Sequence, residues 1–151
     1  MSWDAVDALG CDNRAPGRAR SFCIGQLRKA LRGGPELESL LEDTAIVASE
    51  LVTNAVNAGC ADVRVSMSIH PAHLRLTVRD DAPGTPSQHH AQPQDVHGRG
   101  IAIMAALARA WGVETAPPHK QTWAELAFAP SLTAHWPLSG EMGELTSPRP
   151  R

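Results

Sequence analysis

Between residues 35 and 80 the spacing of apolar positions changes from helical to alternating, and that change divides the chain into elements. In residues 35 to 58, Leu37, Leu40, Leu41, Thr44, Ala48, Leu51 and Ala55 form one stripe of a long helix. Pro35 suits its first turn, Glu36, Glu38, Glu42 and Asp43 favour its N-terminal half, and Gly59 is a natural stop. From residue 62 the period becomes two. In DVRVSMSI, Val63, Val65, Met67 and Ile69 alternate with polar residues, and in LRLTVRD, Leu74, Leu76 and Val78 do the same. Two such runs joined by the short turn HPAH predict an antiparallel hairpin with one buried face.

The flanking segments are read in the same way. Residues 1–15 are weakly patterned and form an N-terminal segment. Residues 16 to 32 predict a first helix, with Phe22, Leu27, Ala30 and Leu31 on one face and Gly33-Gly34 ending it. A Pro-, Gln- and His-rich stretch follows the hairpin, and residues 85 to 97 within it read as a lid loop. GRGIAIMAALARAWG predicts a third helix, and VETAPPHKQTWAELAF a strand, a turn and a strand. Residues 129–151 are rich in Pro and Gly and read as an irregular C-terminal tail. The order helix, helix, hairpin, lid, helix, hairpin predicts one domain at 16–128. Its expected fold is α+β, a two-layer sandwich with helices on one face of a mainly antiparallel sheet.

Composition narrows the function classes. The chain has 151 residues, enough for a core without staples, and a formal net charge of −2 that gives no general pull toward nucleic acid or anionic membrane. With two Phe, four Trp and no Tyr, stacking platforms for bases are not expected. Cys11, Cys23 and Cys60 are odd in number and widely spaced, so the expectation is three reduced, mostly buried thiols. The N-terminus lacks a basic start followed by an apolar run, and no stretch approaches the ~20 apolar residues of a membrane span. A cytoplasmic protein is expected.

Three separated segments carry candidate chemistry. In ELVTNAVNAG, Glu50 and Asn54 stand one helical turn apart, with Thr53 and Asn57 beside them. On an isolated helix this is a solvated polar face, but the other segments change its meaning. Counting by twos through Leu74, Leu76 and Val78 reaches Asp80, which therefore faces inward. There it either caps the following loop or accepts a hydrogen bond from an exocyclic amine such as that of adenine. Gly84, four residues later, permits close backbone approach. In HGRGI, Gly98 and Gly100 stand where loop becomes helix, and free N–H groups at a helix N-terminus bind anions, with Arg99 between them adding charge. An amide oxygen suited to Mg²⁺, an acid for a base amine and a phosphate-binding helix start together make a Mg-nucleotide site. His89, His90 and His97 read as solvated loop histidines rather than a metal site, Trp111 and Trp123 as packing residues, and Trp136 is left open between an exposed aromatic and a docking point.

These segments resemble the ATP-binding domain shared by histidine kinases, gyrase and their relatives, and in particular the small bacterial anti-sigma factor serine/threonine kinases. ELVTNAV resembles the family's asparagine box, VRDDAPG its first glycine box, HGRGIAIMAALARAWGV its second glycine box and following helix, and QTWAELAF its closing strand. The resemblance implies the Bergerat sandwich, with ATP and Mg²⁺ as cofactors. It implies Glu50 as general base, Asn54 as magnesium ligand with Asn57 beside it, and Asp80 on the adenine amine. Gly84 would line the adenine pocket, Gly98, Arg99, Gly100 and Ile101 would meet the phosphates, and Thr122 would stand near an adenine-side water. The chain departs from the family pattern at Ala58, where many relatives carry histidine, at Ala82, which replaces a glycine, and at His119-Lys120-Gln121-Thr122, which lacks the third-box glycine.

The activity so implied is transfer of the ATP γ-phosphoryl to a Ser or Thr of an antagonist protein, with or without sequestration of a sigma factor. The alternative is a catalytically weak or inactive, nucleotide-gated protein-binding module. A histidine kinase fragment is disfavoured because no helical pair with a phosphoacceptor histidine precedes the domain. A protein partner is expected and a homodimer is allowed, since relatives often dimerise; direct nucleic-acid and membrane contacts are not expected.

Overall fold

A computed structural model describes residues 2–83, 96–129 and 131–134. Its centre is a five-stranded sheet in the order β1-β3-β4-β6-β5, antiparallel at every junction. The strands are β1 (Trp3–Gly10), β3 (Asp62–Ile69), β4 (His73–Asp80), β5 (Ala110–Ala116) and β6 (His119–Ala127). Three helices, α1 (Ala15–Ala30), α2 (Pro35–Asn57) and α3 (Val96–Leu107), complete an α+β sandwich. α1 lies against β1 and β3, α2 against β4 and β6, and α3 against α2 and β5.

The core follows from the two periodicities. β3 contributes Val63, Val65, Met67 and Ile69, β4 contributes Leu74, Leu76 and Val78, and β6 adds Ala124 and Leu126, all buried. They pair in register, Val65 with Val78 and Met67 with Leu76, so one face of the hairpin is continuously apolar. The stripe predicted for α2 is buried along its whole length, joined by Ala45, Val47 and Val52. Pro35 stands in the first turn, and Gly59 at φ 84° turns the chain out of the helix and into β3. Such a left-handed position favours glycine because it carries no Cβ.

Four elements differ from the sequence expectation. Residues 3–10 form edge strand β1, paired with β3 from Trp3↔Ile69 to Gly10↔Asp62. Its inward positions are Trp3, Ala5, Asp7 and Leu9, of which Leu9 alone is fully buried, so the alternation is too faint to read. α1 ends at Ala30, and Leu31–Arg32 form a short strand β2 paired with β7 (Thr133–Ala134). The start of the expected irregular tail is thus bound to the domain: Leu132 is buried, and a Cβ on Gly33 would collide with it. α3 stops at Leu107, well before Gly112, because the Arg109 N–H bonds to the Glu125 carbonyl (2.8 Å) and the chain joins the sheet. In β5, Gly112 lies under the Trp123 ring, whose atoms a Cβ would meet at 2.8–2.9 Å, while Arg75 caps the ring at 4.0 Å.

The cysteine expectation is corrected more sharply. Cys11 and Cys60 form a disulfide, with their Cα atoms 5.9 Å apart; only Cys23 is a free thiol. The pair lies 49 residues apart in sequence, a separation that hides it, and is assembled when β1 pairs with β3. Cys23 fits the expectation: it is buried in α1, and burial pushes its thiol up to about 12, which makes it unreactive. Closing a loop of this size stabilises by about 2–4 kcal/mol, chiefly by restricting the unfolded chain. Reduction, or Cys11→Ser, is therefore expected to lower the denaturant midpoint while leaving the spectrum of the folded state unchanged. Two reactive thiols beside Cys23 in the unreduced, denatured chain would show that the pair is open.

Candidate functional site

The polar residues of α2 lie where the helix leaves the core. Ala55 is the last buried residue of its stripe; Glu50, Thr53 and Asn54 are half-buried on its flank, and Asn57 is exposed at its end. α3 closes over this flank. Gly100 is buried, and a Cβ there would lie 3.0 Å from Glu50 Oε2, 3.1 Å from Asn54 Nδ2 and 3.4 Å from Asn54 Oδ1. Glycine is therefore what lets the α3 backbone approach the carboxylate and amide together. Ile101, next along, packs half-buried against the core.

The helix start differs slightly from the sequence reading. α3 begins at Val96, so Gly98 and Arg99 lie in its first turn and Gly100 in its second, rather than at the junction with the loop. N–H groups in the first turn of a helix lack the carbonyl partners that interior ones have. Gly84 and residues 85–95 of the expected lid lie outside the described residues, as do His89, His90, Trp136 and the His97 side chain. Among the described residues, no group of three or more His, Cys, Asp or Glu side chains could hold a metal ion.

The second half of the site is at the end of β4. Asp80 has the inward parity read from the sequence and is 4% exposed. Its Oδ1 accepts the Ala82 N–H at 2.9 Å and stands 3.6 Å from Lys120 Nζ. Lys120 is the cross-strand partner of Asp80 and is itself 7% exposed, so this is a buried ion pair. Thr122, two residues on and on the same face of β6, is half-buried opposite Val78. The sequence reading missed Lys120, although counting back by twos from Leu126 through Ala124 and Thr122 reaches it as surely as the count in β4 reaches Asp80.

Asp81 points the other way and has a mechanical task. Its Oδ1 accepts the N–H groups of Ala61 (2.8 Å) and Asp62 (3.0 Å), tying the end of β4 to the turn that leaves α2. The α2 flank and Asp80 are thus held at the same end of the sandwich. The Asp62 N–H, with that of Ala61, holds the Asp81 carboxyl below its ordinary 3.8. The local sequence gives Asp81 outward parity but no sign of this task, since its two donors come from the turn into β3.

A layer of helices over an antiparallel sheet, with acid and amide groups gathered at one end, defines the class: a two-layer α+β sandwich with a polar site at its rim. Residues 25–125 match the histidine kinase-like ATPase domain, and the chain belongs to that family, whose members bind ATP. No curated protein matches the chain. Among the described residues no helix is long and apolar enough to cross a membrane.

Two outcomes follow from this geometry. A carboxyl held low when folded contributes stability above its unfolded value and loses it as pH falls through the folded one. Asp81→Ala should therefore melt below wild type at pH 7, with the difference shrinking from about pH 4 downward; a difference independent of pH would remove the carboxylate from this role. Gly100→Ala should keep the fold, since alanine favours helix by up to about 1 kcal/mol, but weaken ATP binding about tenfold by displacing Glu50 and Asn54. Unchanged affinity by calorimetry would place the nucleotide away from the α2–α3 junction.

Proposed function

We propose that the chain is a Mg-ATP-dependent regulatory protein of the anti-sigma factor serine/threonine kinase type, which transfers the γ-phosphoryl of ATP to a Ser or Thr of an antagonist protein. The observation that carries this reading is the Glu50 carboxylate and Asn54 amide lying together against Gly100. Hard oxygen donors suit Mg²⁺, which is typically held by one or two protein groups and the substrate phosphates, and the Asn54 amide oxygen at this junction fits that need. When bound, magnesium neutralises charge on the phosphates.

In this reading Glu50 accepts the proton of the substrate hydroxyl. The hydroxyl oxygen forms its bond to the γ-phosphorus as the bond to the bridging oxygen breaks, and ADP leaves with that electron pair. Gly98, Arg99, Gly100 and Ile101 hold the phosphates at the start of α3, where first-turn N–H groups favour negative charge. Asp80 takes the adenine amine, Thr122 holds a water beside it, and Asn57 lines the outer edge. The partner is a small antagonist protein, a sigma factor, or both, and a homodimer is allowed; neither nucleic acid nor membrane is engaged. A cytoplasmic setting goes with this role. The Cys11–Cys60 pair is of a kind that is uncommon in that compartment.

One observation favours a second reading, a nucleotide-gated binding module without turnover. His119-Lys120-Gln121-Thr122, the stretch that sets Lys120 against Asp80, lacks the glycine of the family pattern. Glu50→Ala separates the two. It should fold and bind Mg-ATP nearly as well as wild type, but lose about 10²–10⁴-fold in phosphoryl transfer to a co-purifying antagonist, because a general base acts on rate more than affinity. Radiolabel transfer from ATP is the measurement. Wild type that binds ATP and labels no co-purifying protein would leave the binding module as the function.

A further inference from the structure

We propose that Lys120 is a second base-reading residue of the nucleotide site: it remains paired with Asp80 while the ligand is bound and donates a hydrogen bond to ring N1 of adenine. The inference rests on the reading that Asp80 accepts the adenine amine.

The argument begins with charge. Asp80 and Lys120 are directly opposite in the β4–β6 register, share the inward face of the sheet, and are both buried. A neutral amine cannot replace an ammonium as the counter-charge of a buried carboxylate, because removing one member of such a pair leaves the other uncompensated. A base arriving at Asp80 therefore meets a carboxylate and an ammonium together, not a carboxylate from which the lysine has been expelled.

The lysine does not hold the carboxylate in a short hydrogen bond. The separation of Nζ and Oδ1, 3.6 Å, is longer than a direct charge-assisted hydrogen bond of about 2.7–2.9 Å. The same Oδ1 is already fixed by the Ala82 N–H at 2.9 Å, so the carboxylate is oriented by the backbone rather than by the lysine. An ammonium carries three donors, enough in number for a carboxylate and a ring nitrogen together. In adenine the exocyclic amine and N1 occupy adjacent ring atoms and present a donor and an acceptor side by side. An acceptor beside a donor, Asp80 beside Lys120, is the complement of that edge. Hypoxanthine presents an oxo acceptor and an N1–H donor at the same two atoms, in reversed order.

Calorimetric titration with ATP, 1-deaza-ATP (N1 replaced by C–H), and the purine riboside triphosphate that lacks the amine tests this on wild type, Lys120→Met and Lys120→Arg, each checked for folding by its melting curve. Wild type should lose about tenfold when N1 is replaced. Lys120→Met should bind ATP about tenfold more weakly and no longer distinguish ATP from 1-deaza-ATP, while Lys120→Arg keeps the distinction. Equal binding of ATP and 1-deaza-ATP by wild type overturns the inference without using any variant. So does an undiminished N1 dependence in Lys120→Met, or tighter ATP binding by that variant, which would make the lysine a plug. Failure of wild type to bind ATP, or its indifference to the missing amine, overturns the Asp80 reading and this inference with it. Loss of the N1 effect alone leaves the Asp80 reading standing.

Discussion

A carboxylate carried to the end of an apolar strand must find partners there, and much of this molecule is arranged around that requirement. Asp80 closes a strand whose other inward residues are Leu74, Leu76 and Val78. Its charge is met by a backbone N–H two residues on and by a lysine from the neighbouring strand. Both contacts depend on the β4–β6 register, so a slip of one residue would turn Asp80 outward, bury Arg79 or Asp81 in its place, and lose Lys120. The cost of an unpaired buried charge thus reinforces the register that the hydrophobic pattern already selects.

Adjacent carboxylates divide the work at this end. Asp80 faces the helices and is paired with Lys120. Asp81 faces away and binds the turn between α2 and β3, bringing the helix that carries Glu50 and Asn54 into a fixed relation with β4. On the other side the same turn is covalently tied, since Cys60 is joined to Cys11 at the end of β1. The end of α2 is thereby held by a hydrogen-bonded carboxylate, a disulfide and the left-handed Gly59. The phosphate site proposed between the two helices would benefit from such rigidity, because small displacements of positioned groups are costly to rate.

Close approach is the second recurring device. Gly100 admits Glu50 and Asn54 against the α3 backbone, Gly112 admits the Trp123 ring onto β5, and Gly33 admits Leu132 onto the loop before α2. The first stands at the proposed site and the other two serve packing, although in sequence the three look alike. Gly100 has polar neighbours where Gly112 and Gly33 have apolar ones, and that difference sets the proposed binding junction apart from a well-filled gap.

The long periodic segments were determined by sequence alone. The α2 stripe, the β3–β4 alternation and the inward parity of Asp80 are local patterns, repeated often enough that burial of one face leaves a single solution. The ATP-binding family was likewise legible, because its boxes keep their order along the chain. Edge strand β1 was not, since Ala5 and Asp7 occupy inward positions and a sheet edge tolerates them. The β2–β7 pair was not, because two residues form a strand only when a distant segment supplies the hydrogen bonds. The end of α3 was not either, because helical preference in Ala108–Gly112 yields to pairing with β6. Tertiary structure alone decided the Cys11–Cys60 bond, the Asp80–Lys120 pair and the contact of Gly100 with Glu50 and Asn54. Each of these joins residues far apart in the chain, and each contact exists only once the sheet register and the α2–α3 packing are set.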